Sequence, residues 1–164
     1  MSDDGRPPCP PDETSEPLYS VESWTMDESL GYLLSTVKGQ LIARIDAELA
    51  PLDITWAQWA TILKMASGKA RTATELCRHS GCDTGSMTRM VDRLEQKGLV
   101  RRERGVEDRR MVFLHLTEKG QQLVPELKPI AVTVLNHFLR GFSREELELF
   151  KSFLRRMIAN GDPD

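Results

Sequence analysis

The chain is expected to be mainly α-helical with one small β-hairpin, and three features of its 164 residues point that way. Four Ser/Thr-x-x-Glu/Gln motifs stand at helix-like spacings: Thr25/Glu28, Thr55/Gln58, Thr72/Glu75 and Ser143/Glu146. Each fits a capping box, in which two side chains reciprocally satisfy amides that the first helical turn leaves unbonded. Apolar residues recur at three- and four-residue intervals over most of the chain. Only within "RRERGVEDRRMVFLHLT" (101–117) does the period fall to two, around a glycine-containing tip.

Residues 1–24, with the prolines of "PPCPP" and scattered Asp and Glu, fit a flexible acidic tail. Leu30, Leu33, Val37, Leu41, Ile45 and Leu49 then mark a long amphipathic helix within 25–53, stopped before Pro51. Thr55 opens a second helix carrying Trp56, Trp59, Ile62 and Leu63, which Gly68 ends. Thr72 to His79 is a short third helix. Asp83 can cap a fourth that runs to Gln96, with Met87, Met90, Val91 and Leu94 inward and Gly98 just past its end.

Leu99–Arg104 and Arg110–Leu116 read as the hairpin strands, anchored by Val112, Leu114 and Leu116. Thr117 opens a further helical region, with kinks expected at Pro125 and Pro129. Gly141 breaks it, and a last helix carries Leu147, Phe150, Phe153, Leu154, Met157 and Ile158. The organisation is thus a tail (1–24), a helix (25–53), a compact middle unit (54–117) and closing helices (118–160). The flanking helices are too apolar to stand alone in water. They are expected to pair with each other and with a second copy, as a symmetric homodimer.

The net charge of −3 argues against a polyanionic partner until it is divided along the chain. Residues 1–28 hold eight Asp/Glu against Arg6 alone, a local −7. From Lys69 to Arg110, eleven Lys/Arg face seven Asp/Glu, a local +4. Local charge is what meets a polyanion, and the middle unit is basic. No apolar run reaches the ~18–20 residues of a membrane span, and the N-terminus lacks the pattern of a signal peptide. Three unpatterned cysteines suit a reducing interior, so a cytoplasmic protein without membrane contact is expected.

Helix, turn, helix and hairpin in succession make the plan of a winged helix-turn-helix, whose second helix enters the DNA major groove by its N-terminal end. With Met87, Val91 and Leu94 inward, a rotation of ~100° per residue turns Gly85, Thr88, Arg89, Asp92 and Arg93 outward. Thr84, Gly85 and Ser86 occupy the first turn. Small side chains there let the backbone approach phosphates, and free amides give a partial positive end. Arg89 is long enough for a guanine edge, Thr88 suits a thymine methyl or a phosphate, and Arg93, one turn on, suits a phosphate.

"LDITWAQWATIL", "GSMTRMVDRLEQKGLVRR" and "EDRRMVFLHLTEKG" resemble the MarR (multiple antibiotic resistance regulator) family of dimeric winged-helix repressors. The likeness spans roughly residues 30–160. It implies a dimer formed by the first and last two helices, two wings reaching minor grooves, and repression relieved by a small ligand. It further implies that Arg110 enters the minor groove at the wing tip and that Asp108 holds it by a salt bridge. Ser86, Thr88 and Arg89 would read or grip the major groove. Elementary physics agrees with the wing assignment. A narrow A·T-rich minor groove focuses negative potential, and Arg is cheaper to dehydrate than Lys. A carboxylate two residues away lies on the same side of an extended chain, so Asp108 can aim Arg110. Arg104 and Arg109 complete the charged tip, either as further contacts or as plain phosphate neutralisers.

The resemblance also implies an effector cleft, for which Tyr32, Trp59 and Arg102 are the expected lining. Aromatic walls with few polar groups suit a flat phenolic or aromatic-acid ligand. Cys77, His79 and Cys82 lie close in sequence, but His115 and His137 belong to distant elements, so no metal site is expected. Cys77 falls on an apolar helix face, where cysteine is most often a small hydrophobe. Cys82 near a helix start is a modest reactivity candidate, while Cys9 sits in the tail. No nucleophile–base set, phosphate loop or paired catalytic carboxylate is present, so neither enzymatic activity nor a cofactor is expected. A regulator binding a pseudo-palindromic operator is the leading expectation. A protein-binding winged helix and a cysteine-based redox regulator are the alternatives.

Overall fold

The computed structural model describes residues 17–80, 83–105 and 111–161. In chain order it has α1 (Leu30–Leu49), a 3₁₀ turn (Ala50–Leu52), α2 (Trp56–Ala66), α3 (Ala73–Ser80) and α4 (Thr84–Gln96). Strands β1 (Val100–Arg104) and β2 (Val112–Leu116) follow, then α5 (Glu118–Phe138) and α6 (Arg144–Gly161). The chain divides into two compact units, one of residues 37–138 and one of residues before 37 and after 138.

The larger unit contains the buried core. Ile45, Leu49, Ile62, Leu76, Val91, Leu94, Val100, Leu114, Leu127 and Val134 are each under about 5% exposed and form one cluster. Three of the four expected capping boxes form. Thr55 and Gln58 exchange side-chain-to-amide bonds at the start of α2, as do Thr72 and Glu75 before α3 and Ser143 and Glu146 before α6. The fourth does not start a helix. Residues 26–29 turn, and α1 begins at Leu30, where the Ser29 hydroxyl accepts from the Tyr32 amide at 3.3 Å and the Tyr19 hydroxyl from the Leu30 amide at 3.0 Å. A serine with an aromatic hydroxyl behind it outcompetes the Thr25 motif.

The strands pair antiparallel, with Val100 opposite Leu116, Arg102 opposite Leu114 and Arg104 opposite Val112. Directly opposed residues share a face, so these six line the side towards the helices. Val100 (2% exposed) and Leu114 (4%) anchor the hairpin. Val112, expected as a third anchor, is exposed, because its pair with Arg104 lies at the tip end of the ladder. Beyond the hairpin the Leu114 amide donates to the Arg71 carbonyl at 2.7 Å, which fastens β2 to the segment before α3.

Helix α5 runs unbroken through Pro125 and Pro129. Each proline removes one main-chain hydrogen bond, at a cost on the order of 3 kcal/mol in an ordinary helix interior. Burial of Leu127 and Val134, with Leu123, Ile130 and Phe138 packed on the same core, offsets this. The smaller unit has a different character. No residue of α6 is buried, and Leu149, Phe150, Phe153, Met157 and Ile158 are all exposed in the single chain.

Candidate nucleic-acid interface

Helix α4 turns Met87, Val91 and Leu94 into the core. Its opposite face exposes Thr84, Gly85, Thr88, Arg89 and Arg93, while Ser86 and Asp92 are half-buried. Asp83 caps the helix, accepting from the Ser86 amide at 2.8 Å and the Ser86 hydroxyl at 2.6 Å. Those bonds, the hydroxyl first, hold the Asp83 carboxyl below the usual carboxylate range. The Ser86 oxygen in turn accepts from Arg89 Nη2 at 3.4 Å. Asp83, Ser86 and Arg89 therefore form a short chain of polar contacts across the helix start, with Arg89 drawn towards the first turn. Thr88 donates its hydroxyl hydrogen to the Thr84 carbonyl at 2.8 Å. That leaves its methyl group and oxygen lone pairs for any partner.

Arg102 reaches from β1 to the same helix. Its Nη2 donates to Asp92 Oδ1 at 2.6 Å, its Nη1 to Glu95 Oε2 at 2.5 Å, and its backbone amide to Glu95 Oε1 at 3.2 Å. Partial burial pulls the guanidinium pKa down, but the bonds to Asp92 and Glu95 outweigh it and leave the group above its ordinary value. On the other face of the hairpin, Glu103 accepts from Arg101 at 2.6 Å and faces His115 at 3.5 Å. The Arg101 bond, with charge attraction from Arg101 and His115, lowers the Glu103 carboxyl. Arg104 is exposed at the outer end of β1, and the Gly105 amide closes the ladder on the Met111 carbonyl at 2.9 Å. The tip residues Asp108, Arg109 and Arg110 lie outside the described residues, so the expected Asp108–Arg110 contact does too.

Of the three residues expected to line an effector cleft, Trp59 and Arg102 belong to the larger unit. Trp59 is buried, stacks on Trp56 with ring centroids 4.6 Å apart, and donates its indole N–H to the Leu127 carbonyl at 3.1 Å. The Arg102 guanidinium is committed to α4. Tyr32 belongs to the smaller unit and is exposed. Among the described residues of the larger unit there are open clefts. One of about 500 Å³ is lined by Asp53, Lys97, Lys119 and Glu126 among others, and one of about 540 Å³ by Met65, Arg71, His115 and Gln121 among others. Neither is lined by Trp59 or Arg102. Cys77 is half-buried against the core, whereas Cys9 and Cys82 lie outside the described residues. Among the described residues no cluster of His, Cys, Asp and Glu could hold a metal ion, and no helix is long and apolar enough to cross a membrane.

Sequence reasoning missed two ionic links. By spacing alone, Asp92 suits Arg89, three residues before it on the same helix; Asp92 and Glu95 both serve Arg102 instead. Their i, i+3 spacing on one face, followed by an arginine in the next strand, is the signal that could have found this. The second link ties Lys97, at the end of α4, to the Asp53 carboxylate at 2.9 Å and to its carbonyl. Lys119 Nζ adds a bond to the Lys97 carbonyl at 3.0 Å.

The model of the MarR family matches residues 54–112, from the residue before the α2 cap to the first residue of β2. The transcriptional regulator PA3341 is 33% identical, with 80% of this chain and 97% of that chain covered and a TM-score of 0.72. The chain belongs to the MarR family. A mutant MarR from E. coli, solved in complex with operator DNA, is 27% identical over 78% of this chain and 92% of that one, with a TM-score of 0.73. BpsR of Bordetella bronchiseptica, 23% identical over 86% of this chain and 99% of that one, shares the fold at a TM-score of 0.75. As a MarR-family member the protein is a DNA-binding transcriptional regulator.

Proposed function

We propose that the protein is a homodimeric repressor of a pseudo-palindromic operator, released by a small aromatic or phenolic ligand. The exposed row Thr84, Gly85, Thr88 and Arg89, flanked by Arg93, is the observation that carries the DNA-reading half. Small side chains and an arginine at the entering end of α4 suit base edges, while Arg93 and Arg104 suit phosphates. Ser86, bonded to both Asp83 and Arg89, aims Arg89 more than it touches DNA itself. Asp108 orients Arg110 in the minor groove, and Arg109 adds phosphate contact. Dimerisation is supported by α6, whose Phe150, Phe153, Met157 and Ile158 would otherwise meet water. The two recognition helices of such a dimer would sit about one DNA turn, ~34–36 Å, apart.

A ligand-released repressor is supported at one remove. BpsR has its DNA binding regulated by 6-hydroxynicotinic acid, a flat aromatic acid, and it shares this fold. Of the three residues expected to line the pocket, Tyr32 keeps an exposed aromatic ring for the task. The deciding experiment is a gel-shift titration against duplexes selected from a random-sequence pool, at several salt concentrations. Arg110→Ala should cost about 1–3 kcal/mol in binding, and affinity should fall steeply with salt through counterion release. Wild-type affinity in that mutant would remove the wing from the DNA-reading surface. Binding that ignores salt would favour a protein partner for the winged helix.

A further inference from the structure

We infer that Arg102 is a positioning residue for DNA binding: it fixes the wing to the recognition helix and takes two carboxylates of that helix out of the path of the phosphates. The inference deepens the DNA-reading proposal and rests on it.

The geometry is specific. Asp92 and Glu95 are one turn apart on α4, and one planar guanidinium spans both, one Nη to each, at 2.6 and 2.5 Å. The Arg102 backbone amide adds a third bond, to the other oxygen of Glu95. The contact therefore ties main chain as well as side chain of β1 to α4. Across the hairpin Arg102 pairs with Leu114, which is buried and whose amide is held by the Arg71 carbonyl. The wing base is thus gripped from two sides, by α4 through Arg102 and by the segment before α3 through Leu114. What continues outward from that base along β1 is Arg104, so a rotation at Arg102 is carried along the strand.

Charge makes the second half of the case. Asp92 lies between Arg89 and Arg93 on the polar side of α4, and a bare carboxylate there would repel DNA. Bound to Arg102, Asp92 and Glu95 leave the exposed Arg89 and Arg93 as the charges that α4 presents. A lysine offers one point charge and no fork, so it cannot hold both carboxylates in this geometry.

The test uses the full chain and a duplex selected from a random pool by the wild type. Arg102→Ala should lower affinity by roughly ten-fold, equivalent to ~1.4 kcal/mol. In a hydroxyl-radical footprint it should erase the outer protections, where the wings reach, and keep the central ones. Arg102→Lys should recover only part of the affinity. Adding Asp92→Asn and Glu95→Gln to Arg102→Ala should restore the charge-dependent part of binding but leave the outer protections missing. Hydrogen exchange on the free protein should show faster exchange at Gly105 with the α2 and α5 amides unchanged, which separates wing loosening from unfolding. Wild-type binding and footprint in Arg102→Ala would overturn the inference, as would complete recovery of both by Arg102→Lys or by the triple variant. A wild-type chain that enriches no sequence from the pool would instead overturn the DNA-reading proposal, and the role of Arg102 with it.

Discussion

Gly120, in the first turn of α5, presses its α-carbon against the carbonyl of Leu99: a β-carbon at Gly120 would lie 2.2 Å from that oxygen and 3.1 Å from the carbonyl carbon. The same carbonyl accepts the Thr117 amide at 3.0 Å, and the Thr117 hydroxyl donates to the Gly98 carbonyl while accepting from the Gly120 amide. The start of α5 and the base of the wing are consequently one continuous backbone contact, with no side chain between them.

Gly120→Ala should therefore be among the most damaging single-methyl changes available, because the obstacle is main chain and cannot rotate away. A loss of roughly 3 kcal/mol or more is expected. Gly98→Ala makes a useful control. Gly98 sits at φ +70° with open space around its α-carbon, so only the left-handed strain, ~1–2 kcal/mol, applies. Urea midpoints at equal m-values would establish the order, and equal losses would refute the close-contact account.

Trp59→Phe keeps an aromatic ring in the core but deletes the indole N–H that the Leu127 carbonyl accepts. A cost of about 1–3 kcal/mol is expected for the weakened polar pairing. Leu127 is fully buried, so water has little access to replace the bond. Chemical unfolding of the two proteins side by side is the measurement.

Acid should loosen the start of α4. Asp83 has its carboxyl lowered by the Ser86 hydroxyl and amide in the folded chain. A depressed folded value means the cap contributes above the unfolded pKa, ~3.9, and is lost as pH falls through the lower folded value. Asp83→Asn keeps an acceptor oxygen and does not titrate. Protection of the Ser86 amide, taken relative to intrinsic exchange at each pH, should therefore fall below about pH 4 in the wild type and stay flatter in the variant.

Arg89 and Arg93 should separate by kind of defect. Arg89→Ala is expected to relax base preference at one position per half-site, with a change of ~1–3 kcal/mol between right and wrong bases. Arg93→Ala should weaken all sequences alike and reduce the salt slope by about one phosphate contact. Sequencing of selected duplexes together with salt titrations distinguishes the two. A uniform loss in Arg89→Ala would make it a phosphate contact as well.

Most of the fold could be read from local chemistry. The Thr55, Thr72 and Ser143 boxes, the Asp83 cap and the Gly98 stop all act within four residues, and the inner face of α4 follows from its period alone. What escaped depended on elements meeting in space. Arg102 stands in the sequence reading as cleft lining, and its two carboxylate partners lie unseen on another element, seven and ten residues back. The indole bond of Trp59 was equally hidden, since its acceptor, Leu127, is 68 residues away. Thr25 fails as a helix start because Ser29 and Tyr19 supply better acceptors nearby, a competition that motif matching does not weigh.

The stacked indoles of α2 give the molecule a built-in optical signal. Trp56 and Trp59, with centroids 4.6 Å apart and planes inclined at 29°, are close enough for their electronic transitions to couple, and the buried ring should emit to the blue. Trp24, the third tryptophan, is half in water and belongs to the other compact unit, so it should emit to the red. Each unit thus carries its own chromophore. Near-ultraviolet circular dichroism can follow the core that supports the wing, and red-edge fluorescence the segment ahead of α1, in one unlabelled sample.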